Sequence, residues 1–283
     1  MSINLPDVTV VVLSYNRKDQ LQKTVAHLLG ITERTGCELI IVDNASTDGC
    51  MDEVRPMVQG RINVRLIEND RNAGVSEGRN IGWRAASRNF ILSMDDDILI
   101  SEYDILEMLD LAQRNRDAGI VSPDIVDTRT GRTLNGGSIE VNGCASFFYE
   151  GCFLISRAAI SDIGYLDAIL EVAGEGMDYS LRLRAAGYKI RRSHAVKVGH
   201  VDRARSNEES IDRRKRWLWS FSYLYWKNLR PPMALLRTCR NLLSHAKTGL
   251  ALFGPSFVLS LPMIAYRGAV AGYTARLTNN KGL

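Results

Sequence analysis

Apolar residues recur along this chain in two rhythms. "VTVVVLS" (8–14) is short, uncharged and β-branched, which predicts a buried strand. "ELIIVD" (38–43), "VRLIE" (64–68) and "NFILSM" (89–94) predict three more. Between them the period lengthens. "LQKTVAHLL" sets Leu21, Val25, Leu28 and Leu29 on one helical face, and a short helix is expected after residue 43. "SEGRNIGWRAA" (76–86) and "ILEMLDLAQR" (105–114) also read as helices. Strand–helix alternation of this kind implies an α/β fold with a parallel sheet and helices on both faces.

The pattern changes twice further on. Residues 124–156 carry turn signals ("TG", "NGG", "NG") between short apolar runs, and predict hairpins. "EGMDYSLRLRAAG" (175–187) is helical, and "YKIRRSHAVKVGH" runs as a strand to His200. After Arg213 the chain becomes aromatic ("WLWSFSYLYW", 217–226), is broken at "LRPPM", and then runs uncharged from 248 to 266. We therefore expect one domain over 1–205 and a helical, aromatic and basic region over 206–283.

Charge alters this picture only locally. A formal net charge of +4 is too mild to imply a nucleic-acid partner. The excess gathers at "DRRKRW" (212–217), after which acidic residues thin out. The opening residues lack the basic n-region of a signal peptide. Cys37, Cys50, Cys144, Cys152 and Cys239 form no metal-binding spacing, which suits reduced thiols in a cytosolic compartment.

The candidate chemistry lies at the strand ends. In a parallel sheet, ligands bind beyond the carboxyl ends of the strands. "SYN" follows the first strand, "DNASTD" the second, and "DDD" (Asp95, Asp96, Asp97) the fourth. Three adjacent carboxylates repel one another and suit a hard cation such as Mg²⁺, which also takes phosphate oxygens. An Asp-x-Asp can give one carboxylate to the metal and the other to a ribose hydroxyl or a water. Asp43 can accept the N3–H of uracil or thymine, and equally suits capping its own turn. His27 falls in the apolar pattern of the first helix and reads as structural. For His194 and His245 the sequence suggests no partner.

In order, "VVVLSYNR", "IIVDNASTDG", "NAGVSEGRNIGWRAA", "FILSMDDDI", "YEGCFLISRAAISDIGYLDAIL", "GEGMDYSLRLRAAGYKI" and "VKVGH" resemble family 2 glycosyltransferases over residues 7–202. The resemblance implies the GT-A fold, a Rossmann-like mixed sheet flanked by helices, here with a C-terminal helical appendage. By the same resemblance Ser14, Asn16, Asp43, Asn72, Arg79, Asn80, Asp95 and Asp96 belong to the nucleotide-sugar site. Asp97 and His200 correspond to metal contacts, for Mg²⁺ or Mn²⁺, and Gly151 to a close backbone approach on the acceptor side. Many family members carry Glu-Asp where this chain has Glu175-Gly176, and the second acid is commonly the base. Glu175 and Asp178 share a face at i, i+3, so either can inherit that role, with Glu175 preferred.

The implied reaction is inverting transfer from a UDP- or dTDP-sugar to a glycan or lipid-linked hydroxyl, as in bacterial polysaccharide and rhamnosyl transfer. A nucleotidyltransferase is the rival enzyme class, but "LSYNRKDQ" is not its glycine-rich phosphate loop. A non-catalytic sugar-nucleotide binder is the other alternative, favoured by Gly176. The tail suits an anionic membrane surface: cations meet headgroups and aromatics sit at headgroup level. That reading places the protein peripherally on the inner face of the cell membrane. Packing of the tail on the first domain or on a second copy of the chain, and a true span, follow in that order.

Overall fold

The structure, a computed structural model, describes residues 4–134, 138–201 and 207–279. The expected boundary at 205/206 and the "NGG" turn (135–137) lie outside the described residues. The chain divides into two compact units: Met1–Ala168 with Tyr179–Asp202, and Ile169–Asp178 with Arg203–Leu283.

In the first unit, β1 (Val8–Ser14) is buried along its whole length and pairs in parallel with β2 (Glu38–Asp43) and β4 (Phe90–Asp95). Its β-branched residues suit a strand covered on both faces. β3 (Val64–Glu68) extends the parallel set at the edge, where it is half-buried. α1 (Lys18–Thr35) buries the expected stripe of Leu21, Val25, Leu28 and Leu29. It ends at Gly36, whose φ of 72° is cheap only for a residue without a Cβ. α2 (Cys50–Val58) follows β2, and α3 (Gly74–Ala85) precedes β4. A Cβ on Gly82 would lie 2.3 Å from Val11 Cγ1, and one on Gly78 2.7 Å from Leu13 Cδ1, so α3 needs glycines to seat on β1.

The two-residue strand β5 (Ile98–Leu99) follows the acidic triplet directly. α4 (Glu102–Arg114) starts earlier than its apolar pattern suggests, because Ser101 and Asp104 form a reciprocal capping box. β6 (Ala118–Asp127) leads to a small hairpin, β7 (Glu140–Val141) with β8 (Cys144–Ala145). β9 (Cys152–Ser156) inserts antiparallel between β4 and β6, so the sheet is mixed; of the hairpins expected over 124–156, β7–β8 and the turn closed by the Val126–Thr133 bridge form, while β9 joins the central sheet instead. After α5 (Arg157–Ile163) and α6 (Glu175–Ala185), β10 (Lys189–His200) runs parallel to β6 and antiparallel to β5. The strand order is β3-β2-β1-β4-β9-β6-β10-β8-β7. Trp83, Phe153 and Tyr179 pack edge to face beneath α3, with centroids about 6 Å apart.

The second unit contains α7 (Asn207–Asn228), α8 (Pro231–Phe253) and α9 (Pro255–Asn279), which pack on one another. Leu218, Phe257, Leu261 and Ala265 form its core. A Cβ on Gly268 would lie 2.4 Å from Trp219 O, and one on Gly272 2.1 Å from Tyr223 O, so α9 touches the backbone of α7. The uncharged run 248–266 is not one segment: it breaks at Gly254, φ 82°, between α8 and α9. Among the described residues no helix is long and apolar enough to cross a membrane, which removes the spanning reading for them.

Candidate functional site

Three strand ends meet at the acidic triplet. β4 delivers Asp95, whose N–H donates to Gly151 O at 2.9 Å. A Cβ on Gly151 would lie 2.9 Å from the Tyr149 ring and 3.6 Å from Asp95 Oδ2, so this position needs a glycine to bring the backbone to the triplet. Arg79, from α3, holds Asp95 Oδ1 at 2.6 Å. Burial raises the Asp95 carboxyl above its ordinary value; Arg79 opposes this and Asp97 adds to it.

Asp96 turns inward. It accepts from Ser14 Oγ, and its Oδ1 lies 2.9 Å from Arg17 Nη1. Burial pushes its carboxyl up to about 6, against the pull of Arg17 and Ser14. The same Arg17 nitrogen contacts Asp97 Oδ2. Burial alone would lower the Arg17 pKa, but the two carboxylates outweigh it and keep the guanidinium charged. Sequence reasoning missed Arg17, although it directly follows "SYN". In this structure it supplies the positive charge that two of the three crowded carboxylates require.

Asp95, Asp97 and His200 can each offer one ligand atom, all within 4.8 Å of one another. His200 Nε2 stands 3.6 Å from Asp97 Oδ1. Asp97 Oδ1 and His200 Nδ1 are buried without a hydrogen-bond partner. Two carboxylates and one imidazole, with unspent lone pairs, fit a divalent cation such as Mn²⁺ or Mg²⁺. The cluster forms because β5 pairs with β10, placing Ile98 opposite His200, and Val201 N–H donates to Asp97 O at 3.2 Å.

Other expected residues take different parts. Asp43 accepts from its own turn, at Ser46 N, 3.1 Å. A carboxylate has further lone pairs, so this bond leaves room for a base edge. Asn16 adopts φ 51° and accepts from Thr47 N at 2.7 Å, fixing the loop after β2. Asn72 and Asn80 are put to structural use. Asn72 Oδ1 accepts from Gly74 N and Asn44 Nδ2, both at 2.9 Å. Asn80 clasps the backbone of Leu166 with both ends of its amide, at 2.9 and 3.0 Å. His27 meets Ile100 O at 2.7 Å, a structural role. His194, without a partner on sequence grounds, bridges Asp124 and Glu140 at 3.1 and 3.0 Å.

The two carboxylates at the start of α6 differ sharply. In the second unit, Asp178 accepts from Lys227 Nζ at 2.7 Å and from Asn228 Nδ2 at 3.1 Å, with no side-chain exposure. Glu175 is buried in the first turn of the same helix. The i, i+3 spacing therefore does not make them equivalent, because α7 claims Asp178.

The family described as glycosyl transferase family 2 matches residues 9–164, and glycosyl transferase family group 2 matches 90–275. The low-salt glycan biosynthesis hexosyltransferase Agl10 of Haloferax volcanii is 24% identical over 247 residues, covering 77% of this chain and 76% of that protein. The succinoglycan biosynthesis protein ExoO of Rhizobium meliloti is 33% identical over 108 residues, which cover 38% of this chain and only 30% of that protein. Among solved structures, the mannosyltransferase PcManGT from Pyrobaculum calidifontis, in complex with GDP-Man and Mn²⁺, superposes with a TM-score of 0.61 at 18% identity, covering 97% of this chain and 87% of that one. GalNAc-T7 with UDP, GalNAc and Mn²⁺ gives 0.60 at 15% identity, over 92% of this chain and 58% of that one. At such identities the superpositions speak to the fold, and the fold is GT-A. With the family matched over more than half its length, the chain belongs to glycosyltransferase family 2.

Proposed function

We propose that this chain is a metal-dependent, inverting glycosyltransferase. It moves a hexosyl or deoxyhexosyl group from a UDP- or dTDP-sugar to a glycan or lipid-linked hydroxyl in cell-surface polysaccharide synthesis. The observation that carries the reading is the cluster of Asp95, Asp97 and His200 at the sheet's carboxyl edge, in a chain of this family. The glycan-biosynthesis roles in the names of Agl10 and ExoO support the pathway class.

In this reading Asp97, His200 and Asp95 hold Mg²⁺ or Mn²⁺. An ion held there would supply positive charge against the charge that grows on the departing diphosphate. Arg79 holds Asp95 Oδ1, which leaves the second oxygen of Asp95 for the ion or a ribose hydroxyl. Asp43 accepts from the pyrimidine N3–H. Ser14 and Arg17 hold Asp96, the middle member of the triplet. Glu175 takes the acceptor proton, and the activated oxygen attacks the anomeric carbon opposite the diphosphate. Asp178 keeps the α6 start in place through Lys227. Residues 1–205 carry the transfer chemistry. Residues 206–283 hold the protein peripherally at the inner face of the cell membrane, where lipid-linked acceptors reside.

The test is donor hydrolysis and transfer with UDP-, dTDP- and GDP-sugars, the last because PcManGT is complexed with GDP-Man, each with Mg²⁺, Mn²⁺ or chelator. Metal-dependent turnover of a pyrimidine donor is the expected result. Donor binding without turnover for any acceptor would instead support a non-catalytic binder, the reading Gly176 favours. Turnover of GDP-mannose alone would overturn the pyrimidine assignment of Asp43.

A further inference from the structure

α9 is apolar on two opposite sides. One side buries Phe257, Leu261 and Ala265 and seats Gly268 and Gly272 on α7. At 3.6 residues per turn, Leu259, Met263, Tyr266, Val270, Tyr273 and Leu277 line the opposite side at steps of four and three. These six are between 42 and 82% exposed. α8 repeats the arrangement. It buries Ala234, Thr238 and Gly249, and turns out Leu236, Leu243 and Leu250, one heptad apart, with the exposed cations Arg240 and Lys247 between them.

A stripe of this length on a protein surface marks an interaction site. Charge decides what covers it. Residues 213–283 contain twelve Lys and Arg and no Asp or Glu. A second copy docking tail to tail would bring cation against cation, with no acidic residue in that region to pair them. A basic partner meets the same obstacle. An anionic, apolar-centred surface meets none: leucines and aromatics enter the acyl boundary while Arg and Lys stay with the headgroups. Among the described residues no helix is long and apolar enough to cross a bilayer, so these helices would lie along it.

We propose that the outward stripes of α8 and α9, with their interspersed cations, form a docking surface for an anionic lipid bilayer. The surface rests on the membrane placement proposed above and is independent of the donor chemistry. It also moves the apolar contact away from the uncharged run 248–266 as a unit. Part of that run, Phe257, Leu261 and Ala265, is spent inside the helical core.

The test uses the full chain and vesicles of phosphatidylcholine with or without phosphatidylglycerol. The wild type should sediment with the anionic vesicles and far less with the neutral ones, and 1 M salt should release part of it. L259E/M263E/Y266E changes only exposed side chains. It should bind at least about tenfold more weakly, with unchanged circular dichroism and melting temperature. R240Q/K247Q should lose mainly the salt-sensitive part. Donor hydrolysis in the same samples separates the two readings. A variant that hydrolyses donor but leaves the vesicles supports the surface, and vesicle binding without any donor turnover sinks the transferase reading alone. The proposal is overturned if the triple variant sediments like wild type. It is equally overturned if wild type ignores anionic vesicles and is a dimer that the triple variant converts to monomer.

Discussion

Lys227 Nζ lies 2.7 Å from Asp178 Oδ1, and the two side chains are 9% and 0% exposed. Lys227 and Asn228 both bond to Asp178 Oδ1 and tie it to α7, so mutation can separate its part from that of Glu175. Glu175→Gln should lower turnover by roughly 10²–10⁴, as for a lost general base, with donor affinity and melting temperature nearly unchanged. Lys227→Met should instead lower stability by about 3 kcal/mol, because it strands a buried charge. Denaturant midpoints read against kcat separate the two effects. A Glu175→Gln enzyme with full turnover would end the base assignment.

Arg17 substitutes for a cation beside Asp96 and Asp97. Arg17→Ala should lower the melting temperature without metal, since the carboxylates then repel one another unscreened. Mn²⁺ should restore much of that loss, giving a larger metal-induced shift than in wild type. A thermal melt with and without Mn²⁺ measures this directly; equal shifts in the two proteins would contradict it.

Asp97→Ala should abolish metal-dependent nucleotide binding while leaving the fold intact, because in the proposed site Asp97 offers a ligand atom and its side chain caps no backbone group among the described residues. Isothermal titration with UDP and dTDP, with and without Mn²⁺, is the readout. Retained metal dependence would remove Asp97 from the ligand set.

His194 bridges Asp124 on β6 and Glu140 on β7, while Arg192 also holds Asp124 at 2.7 Å. The bond to Asp124 chiefly raises the imidazole above its ordinary value, and Glu140 adds to it. A raised folded pKa means that the bridge is fully present below the unfolded value of about 6.5. It is lost as pH rises through the folded value. Hydrogen exchange in the β7–β8 hairpin should therefore quicken above neutrality beyond the intrinsic base-catalysed rise. His194→Gln should show only that intrinsic rise.

The buried strands were legible because a strand covered on both faces carries no charge, and β1, β2 and β4 each meet that condition in most of their length. The direction of β9 was not legible. "CFLIS" has the same apolar pattern whether it runs with or against its neighbours, and only the path of the chain decides. Asp95 and Asp97 announced themselves by crowding. Their proximity to His200 came from the family resemblance alone, since no local pattern encodes the pairing of β5 with β10. Arg17 went unread because an arginine after a turn looks like surface. Asn72 and Asn80 stand in a recognisable motif, yet an amide serves a ligand and a backbone equally well. Here Asn80 is committed to Leu166. Nor does the uncharged tail run show where a helix stops; Gly254 shows it only once its φ is known.

Strand β5 is two residues long, yet it fixes a gauge. Ile98 pairs with His200 and Leu99 with Gly199, so main-chain bonds hold Asp97 and His200 at their spacing before any ion arrives. A cation site built this way would start from a preset backbone spacing. Small octahedral ions prefer oxygens at about 2.0–2.1 Å and Ca²⁺ at about 2.3–2.6 Å. If the proposed ion binds, this main-chain link would preset the spacing it meets, and a one-residue slip of β5, which turns its side chains to the opposite face, would take the cluster apart.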